Sequence, residues 1–414
     1  MNTNALNWSF LEKVIFRFAF SILLLFMFFF NNGTFPLFYF VTKFQNTFTH
    51  EFIPWVGENI LHLSYPITEF TNGSGDTTYD YVLLLCIAGL SIVVTLVWSL
   101  LDKKSDNYNR LYYWITVAVR FYVGLMLINY GLVKVVQLQF PAPSLYRLVT
   151  SYGESSPMGL AWTFLGFSKD YNFFMGVAEL LAALLLFRRT VTIGAFITLM
   201  TTANVMAVNY FYDVPVKIVS TALVVMCLFL LLPNMGRLFS FFFKGKQVVL
   251  RTLDASFAER WMRITKYTFK YLLIAFVLCT AVWQVVSVYD KYGNGSPKSP
   301  LYGAYKVNAF TTSNKSNLKK WDILFLSTPI NGAIKDQDGF EYLRISVDTT
   351  RRKMIFIFNN DPNTKHELSY KREGDKLFLN GKLFNDTLSV SSTKMKFELV
   401  ERKLDWINER PYNK

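Results

Sequence analysis

Four apolar segments lie between Leu111 and Pro233, at 111–136, 172–187, 191–210 and 216–232, and they constrain this chain more than any other feature. Each approaches the ~20 residues that cross ~30 Å of hydrocarbon. Set into or beside them are Arg120, Lys134, Glu179, Asn204, Asp213 and Lys217, groups that a lipid-facing helix avoids. A charge at membrane depth costs roughly 2.5–3.5 kcal/mol on insertion scales, so it needs a partner or a wet cavity. Several such groups in one four-helix unit are expected to face one another.

Further apolar stretches stand at 16–30, 81–101 and 267–288, giving seven expected spans. The chain is 52% hydrophobic, which excludes an ordinary soluble enzyme of 414 residues. Its net charge of +14 sits in loops, so it reads as positive-inside sorting rather than nucleic-acid binding. Lys and Arg crowd the N terminus, 102–110, 188–190 and 233–266, while 32–79, 138–170 and 210–215 carry few. That bias places the N terminus in the cytoplasm and the C terminus, after seven crossings, outside a bacterial inner membrane.

Beyond Tyr289 the pattern changes to short alternating runs, at 304–311, 321–326, 342–348, 353–358, 366–371, 376–379, 387–391 and 395–400. Asn380-Gly381 reads as a type I′ hairpin turn, with further turns at Asn359-Asn360-Asp361-Pro362 and Gly374-Asp375. These runs fit a small antiparallel barrel or sandwich in the periplasm. The expected fold is therefore a polytopic α-helical membrane protein with a C-terminal all-β domain. Its expected divisions are a two-span extension (1–109), a four-helix bundle (110–240), a basic cytoplasmic linker (241–266), a seventh span (267–289), a linker (290–302) and the β domain (303–414). Asn72-Gly73-Ser74-Gly75 reads as a turn in the first outer loop, and 158–167 as a short helix lying on the membrane.

Arg120 and Lys134 are 14 residues apart, within roughly 40° of one helix face but ~21 Å apart along the axis. Arg120 is expected to pair with Glu179 inside the bundle. Lys134 either snorkels to the headgroups or joins Asp213, Lys217, Gln139, Asn204 and Tyr130 around an outward mouth. Two cations against one carboxylate would there favour an anionic or hydrogen-bond-accepting ligand. Tyr130, Tyr210 and Tyr212 also suit an interfacial aromatic belt. Cys86, Cys227 and Cys279 form no Cys-x-x-Cys pair, and His50, His62 and His366 are scattered, so no dithiol, haem, zinc or other metal site is expected.

Several stretches resemble the DoxX-like family of four-helix membrane proteins. They are Arg120-Phe121-Tyr122-Val123-Gly124, Tyr130-Gly131-Leu132-Val133-Lys134, Gln139-Phe140-Pro141, Ser156-Pro157-Met158-Gly159-Leu160, Gly166-Phe167-Ser168, Gly176-Val177-Ala178-Glu179-Leu180 with Arg188-Arg189-Thr190, and Tyr212-Asp213-Val214-Pro215-Val216-Lys217. The end, Asp405-Trp406-Ile407-Asn408-Glu409-Arg410-Pro411, resembles longer DoxX-like proteins of Bacteroidetes type, which carry His and Tyr where Asp405 and Arg410 stand. The resemblance implies quinone-linked or redox work, although this chain lacks a cysteine pair to relay electrons. Two readings stand: an accessory or scaffold component of a cell-envelope complex, with the β domain docking a partner or sensing a ligand, and a redox or quinone-linked enzyme subunit. A transporter is a third.

Overall fold

The computed structural model describes residues 8–35, 38–71, 75–252, 259–313, 318–359, 361–384, 386–402 and 406–413. Three residues of the expected Asn72-Gly73-Ser74-Gly75 turn, Asn360 of a second turn and Asp405 of the C-terminal motif lie outside them. The chain forms two compact units. One comprises 1–139, 157–161 and 169–286; the other comprises 140–156, 162–168 and 287–414.

The helices are α1 (Phe10–Phe29), α2 (Tyr39–Asn59), α3 (Thr78–Leu101), α4 (Asn109–Val135), α5 (Leu145–Val149), α6 (Pro157–Phe167), α7 (Lys169–Leu180), α8 (Val191–Phe211), α9 (Lys217–Leu231), α10 (Met235–Lys244) and α11 (Arg260–Tyr289). Two starts are legible as capping boxes. Ser9 and Glu12 exchange side chain-to-backbone bonds at α1, and Thr77 and Asp80 do so at α3, each satisfying helical N–H groups that lack an internal partner.

Among the described residues, five segments are long and apolar enough to cross a bilayer: Thr78–Leu101, Asn109–Val135, Arg188–Phe211, Lys217–Lys244 and Arg260–Tyr289. The chain is thus a membrane protein. The expected first and fourth spans differ from these. The 20 residues of α1 carry Glu12, Lys13 and Arg17. The expected span at 172–187 is broken, with α7 followed by a 3₁₀ segment at Leu181–Leu186, and α7 carries Lys169, Asp170 and Glu179.

α4 is the centre of the first unit. Val119, Tyr122, Val123 and Leu125 have no solvent exposure, and residues of α1, α3, α8 and α9 join its core. Fourteen of its 27 residues are buried, as befits a helix packed inside a bundle. By contrast α11 is buried only at Val277 and Ala281.

The second unit holds a closed barrel of eight antiparallel strands in chain order: β1 (Gly303–Thr312), β2 (Ile323–Leu326), β3 (Asn331–Asp336), β4 (Gly339–Asp348), β5 (Lys353–Phe358), β6 (Asp361–Glu373), β7 (Lys376–Leu383) and β8 (Asp386–Lys394). β8 returns to pair with β1, leaving no open edge. Alternate residues, among them Tyr305, Leu324, Leu343, Phe356, Leu368 and Leu388, fill its interior.

Three strand expectations are corrected. β3 is additional, and its small residues explain why no apolar alternation marks it. Ile334 faces the barrel interior, whereas Ala333 is buried on the outside with Phe325, Ala304 and Leu145 of α5. Asn380-Gly381 is no turn. Both residues lie inside β7, opposite Ser389 and Leu388, and a Cβ on Gly381 would stand 2.9 Å from the Glu367 carbonyl. The reversal falls instead at Phe384, whose φ is +52°. Finally, 395–400 is not a strand; it leads into the short helix α12 (Glu398–Glu401).

Candidate functional site

Lys134 and Glu179 form a buried ion pair in the first unit, Nζ to Oε1 at 2.5 Å, with the two residues 5% and 2% exposed. Its geometry follows from two glycines. α4 and α7 cross where Gly131 meets Gly176, so closely that a Cβ on either would stand 2.8 Å from the other's carbonyl oxygen. Gly124, earlier in α4, faces Ala182 and Leu186, so the two segments run antiparallel. Lys134 and Glu179 each follow their glycine by three residues. Helical side chains lean toward their own N terminus, so on antiparallel helices these two lean toward each other. The Tyr130 ring lies 5.7 Å from Lys134 Nζ. Glu179 Oε2 is buried without a hydrogen-bond partner among the described residues.

The Arg120–Glu179 pair expected from the sequence does not form. Arg120 precedes the Gly131 crossing by eleven residues, ~16 Å along the helix, beyond reach of Glu179. It lies against the 3₁₀ segment instead, where its Nε donates to the Leu185 carbonyl at 2.8 Å. Carbonyls at a helix end lack internal partners, which makes this a natural acceptor for a buried guanidinium.

The residues expected around an outward mouth sit in different environments. Lys217 Nζ pairs with Asp213 at 3.0 Å, an i,i+4 contact in which Asp213 is largely exposed. Asp76, just before α3, accepts from the backbone N–H groups of Lys217 (2.6 Å) and Ile218 (3.0 Å). It thereby caps α9 with a carboxylate at the positive end of the helix. The expected surplus of positive charge is reversed: Asp76 and Asp213 face Lys217, while Lys134 is neutralised by Glu179. Asn204 is exposed, and Gln139 is half-buried with its Oε1 enclosed and unpartnered.

Arg17 was legible only as a cationic flank, yet it is 3% exposed and organises a network. It donates to Ser99 (2.8 Å), to the Asp102 carbonyl (2.9 Å) and to the Tyr108 hydroxyl, which in turn donates to Asp102 Oδ2 at 2.7 Å. This ties α1 to the α3–α4 connection. The Tyr108 hydroxyl, with Ser105, holds the Asp102 carboxyl down at about 2. The available signal was an arginine two turns into an apolar helix.

In the second unit, α5 covers the outside of β2–β4. Tyr146 packs on Phe325 with ring planes tilted by 40° and centroids 4.9 Å apart, and its hydroxyl accepts from Ser327 Oγ at 2.9 Å. The sequence expectation assigned 140–156 to a loop of the bundle.

No family model and no solved structure matches the chain. The DoxX-like resemblance therefore rests on its motif residues alone. Over 118 residues, 28% of its length, the chain is 39% identical to a protein described as "Uncharacterized protein YwoB" from Bacillus subtilis (strain 168), and the match covers 75% of that protein. Through that region the chain belongs to the same family as YwoB.

Proposed function

We propose that this protein is an inner-membrane accessory or scaffold component of a cell-envelope complex, with the β barrel as its docking or ligand-sensing module outside the cytoplasm. The observation that carries this reading is the barrel's solid interior. An eight-stranded barrel is just wide enough to be filled by side chains, and here Tyr305, Trp321, Phe356 and their neighbours fill it. Recognition then falls to the outer surface of the strands and their turns. Tagged full-length protein, extracted in mild detergent, is expected to carry a stoichiometric partner that is lost when 303–414 is deleted and the membrane unit still inserts. Purification alone in both forms would sink the reading.

A redox or quinone-linked subunit is the second reading. The unpartnered Glu179 Oε2 beside Lys134 and Tyr130 favours it, because a quinol hydroxyl would find an acceptor there. A quinone recovered stoichiometrically from the purified protein would support it over the scaffold.

The orientation proposed is N terminus inside and barrel outside. For the basic loops 102–110 and 188–190 to share the cytoplasmic side, the chain must recross between α4 and α8. The broken segment is long enough to do so. Twelve α-helical residues at ~1.5 Å and six 3₁₀ residues at ~2.0 Å reach ~30 Å, the hydrocarbon thickness. A reporter fused after Lys414 is expected to be active only outside the cytoplasm, and one fused at Lys246 only inside. Activity of both on the same side would remove one crossing.

A further inference from the structure

β6 does not keep step with β5. Phe356 pairs with His366 but Phe358 pairs with Asp361, so four residues of β6 stand opposite Ile357 alone. An enlarged bulge of this kind re-aims side chains and interrupts the ladder. On its other side β6 pairs with β7 only from Leu368 onward. His366 fills the gap that this leaves: its Nδ1 accepts the Phe384 backbone N–H at 3.1 Å, and its ring packs 4.4 Å from the Phe384 ring.

The arrangement fixes the chemistry of the imidazole. With Nδ1 accepting, the neutral ring carries its proton on Nε2. Burial lowers the imidazole's pKa below the usual histidine value despite the nearby Asp361 carboxylate, which keeps that neutral tautomer. His366 is 6% exposed, and Nε2 is buried without a hydrogen-bond partner among the described residues. A buried donor left without a partner is costly, so it calls for an acceptor that the described residues do not supply.

A cleft of about 420 Å³ opens at this place, lined by Thr364, Lys365, His366, Glu367, Lys382 and Phe384. Glu367 is ion-paired with Lys353 on β5. Among the lining residues that leaves the ammonium groups of Lys365 and Lys382 as the net charge, two cations against the one nearby carboxylate of Asp361, with the half-exposed Phe384 ring as an apolar wall. We infer that this cleft is a binding site for an oxyanion, a carboxylate or phosphate group, received by His366 Nε2–H and flanked by Lys365 and Lys382.

The inference deepens the ligand-sensing half of the proposed function and rests on it. Its test is separable, since partner co-purification does not depend on anion binding, nor anion binding on a partner. The chain has three histidines, so ¹⁵N-histidine labelling of the full-length protein in detergent gives few signals, and His366→Gln assigns the one of interest. Inorganic phosphate and acetate are titrated separately at constant ionic strength, with chloride as control. A saturable shift of the His366 Nε2 signal with phosphate or acetate is expected, and the tighter of the two names the group. Lys365 and Lys382 are exposed, so Lys365→Ala with Lys382→Ala leaves the barrel folded and is expected to raise the half-saturation concentration at least tenfold. No saturable shift with either anion, or an unchanged half-saturation in the double variant, would overturn the site.

Discussion

Glu179→Gln alone should destabilise the membrane unit by roughly 3–5 kcal/mol, and Lys134→Met alone by a similar amount, because each breaks a buried ion pair from one side. The two together should cost far less than the sum, since a buried pair replaced by uncharged side chains of similar volume is often close to neutral. The size of the single effects follows from enclosure: the two side chains are 6% and 3% exposed, and no solvent is at hand to take up a stranded charge. Thermal melting in detergent of the wild type, the two single variants and the double variant closes the cycle. Additive losses would mean that the pair is not coupled. Arg120→Met provides the contrast. Its guanidinium bonds the Leu185 carbonyl, so its loss should add to that of Glu179→Gln rather than interact with it. Coupling between Arg120 and Glu179 would instead restore the pairing expected from sequence.

The error over Arg120 shows what the sequence could and could not tell. Residue type and depth mark Arg120 and Glu179 as charges that must be satisfied inside the bundle, whereas Lys134, near the helix end, reads as snorkelling or as part of an outward mouth. The choice of partner depends on how far α7 slides along α4. That offset is set across 137–168, a stretch without periodicity, and by a 3₁₀ segment that the apolar run conceals. The glycine signal was nonetheless present, since Gly131 and Gly176 each precede their charged residue by three positions. Asp76 escaped notice for a related reason: a loop carboxylate capping a helix 141 residues later leaves no local pattern. Arg17 escaped because a positive residue near the start of an apolar helix also reads as a sorting signal.

In the barrel, alternation located β5 at its observed limits and most of the other strands within a few residues. It failed where the barrel is covered on the outside. β3 is buried on both faces, so Gly332 and Ala333 replace the bulky residues that would have marked it, and alternation disappears. It misled at Asn380-Gly381, where the glycine serves close strand approach instead of positive φ. The displaced turn at Phe384 is what brings its N–H to His366, so the one misread hairpin is also the one that builds the anion cleft.

Phe356→Ala is expected to be among the costliest single changes in the barrel, and it also tests how the barrel is used. The ring has no solvent exposure and packs against Trp321, with centroids 5.9 Å apart. Truncating a fully buried phenylalanine costs ~3–5 kcal/mol, the lost transfer energy plus the cavity left behind. That is a large share of the ~5–15 kcal/mol that holds a typical domain folded. Hydrogen exchange of the full-length protein should therefore show β4, β5 and β6 losing protection together, with α4 unchanged. Ile355→Ala, one position earlier and only half-buried, should cost much less, because alternate residues of a strand face opposite sides. A barrel built to carry a lipophilic ligand behaves otherwise. Its interior tolerates enlargement, and Phe356→Ala would then leave protection intact while binding a hydrophobic probe more tightly. Such a result would move the function from the barrel's surface to its interior and remove the main support for the scaffold reading.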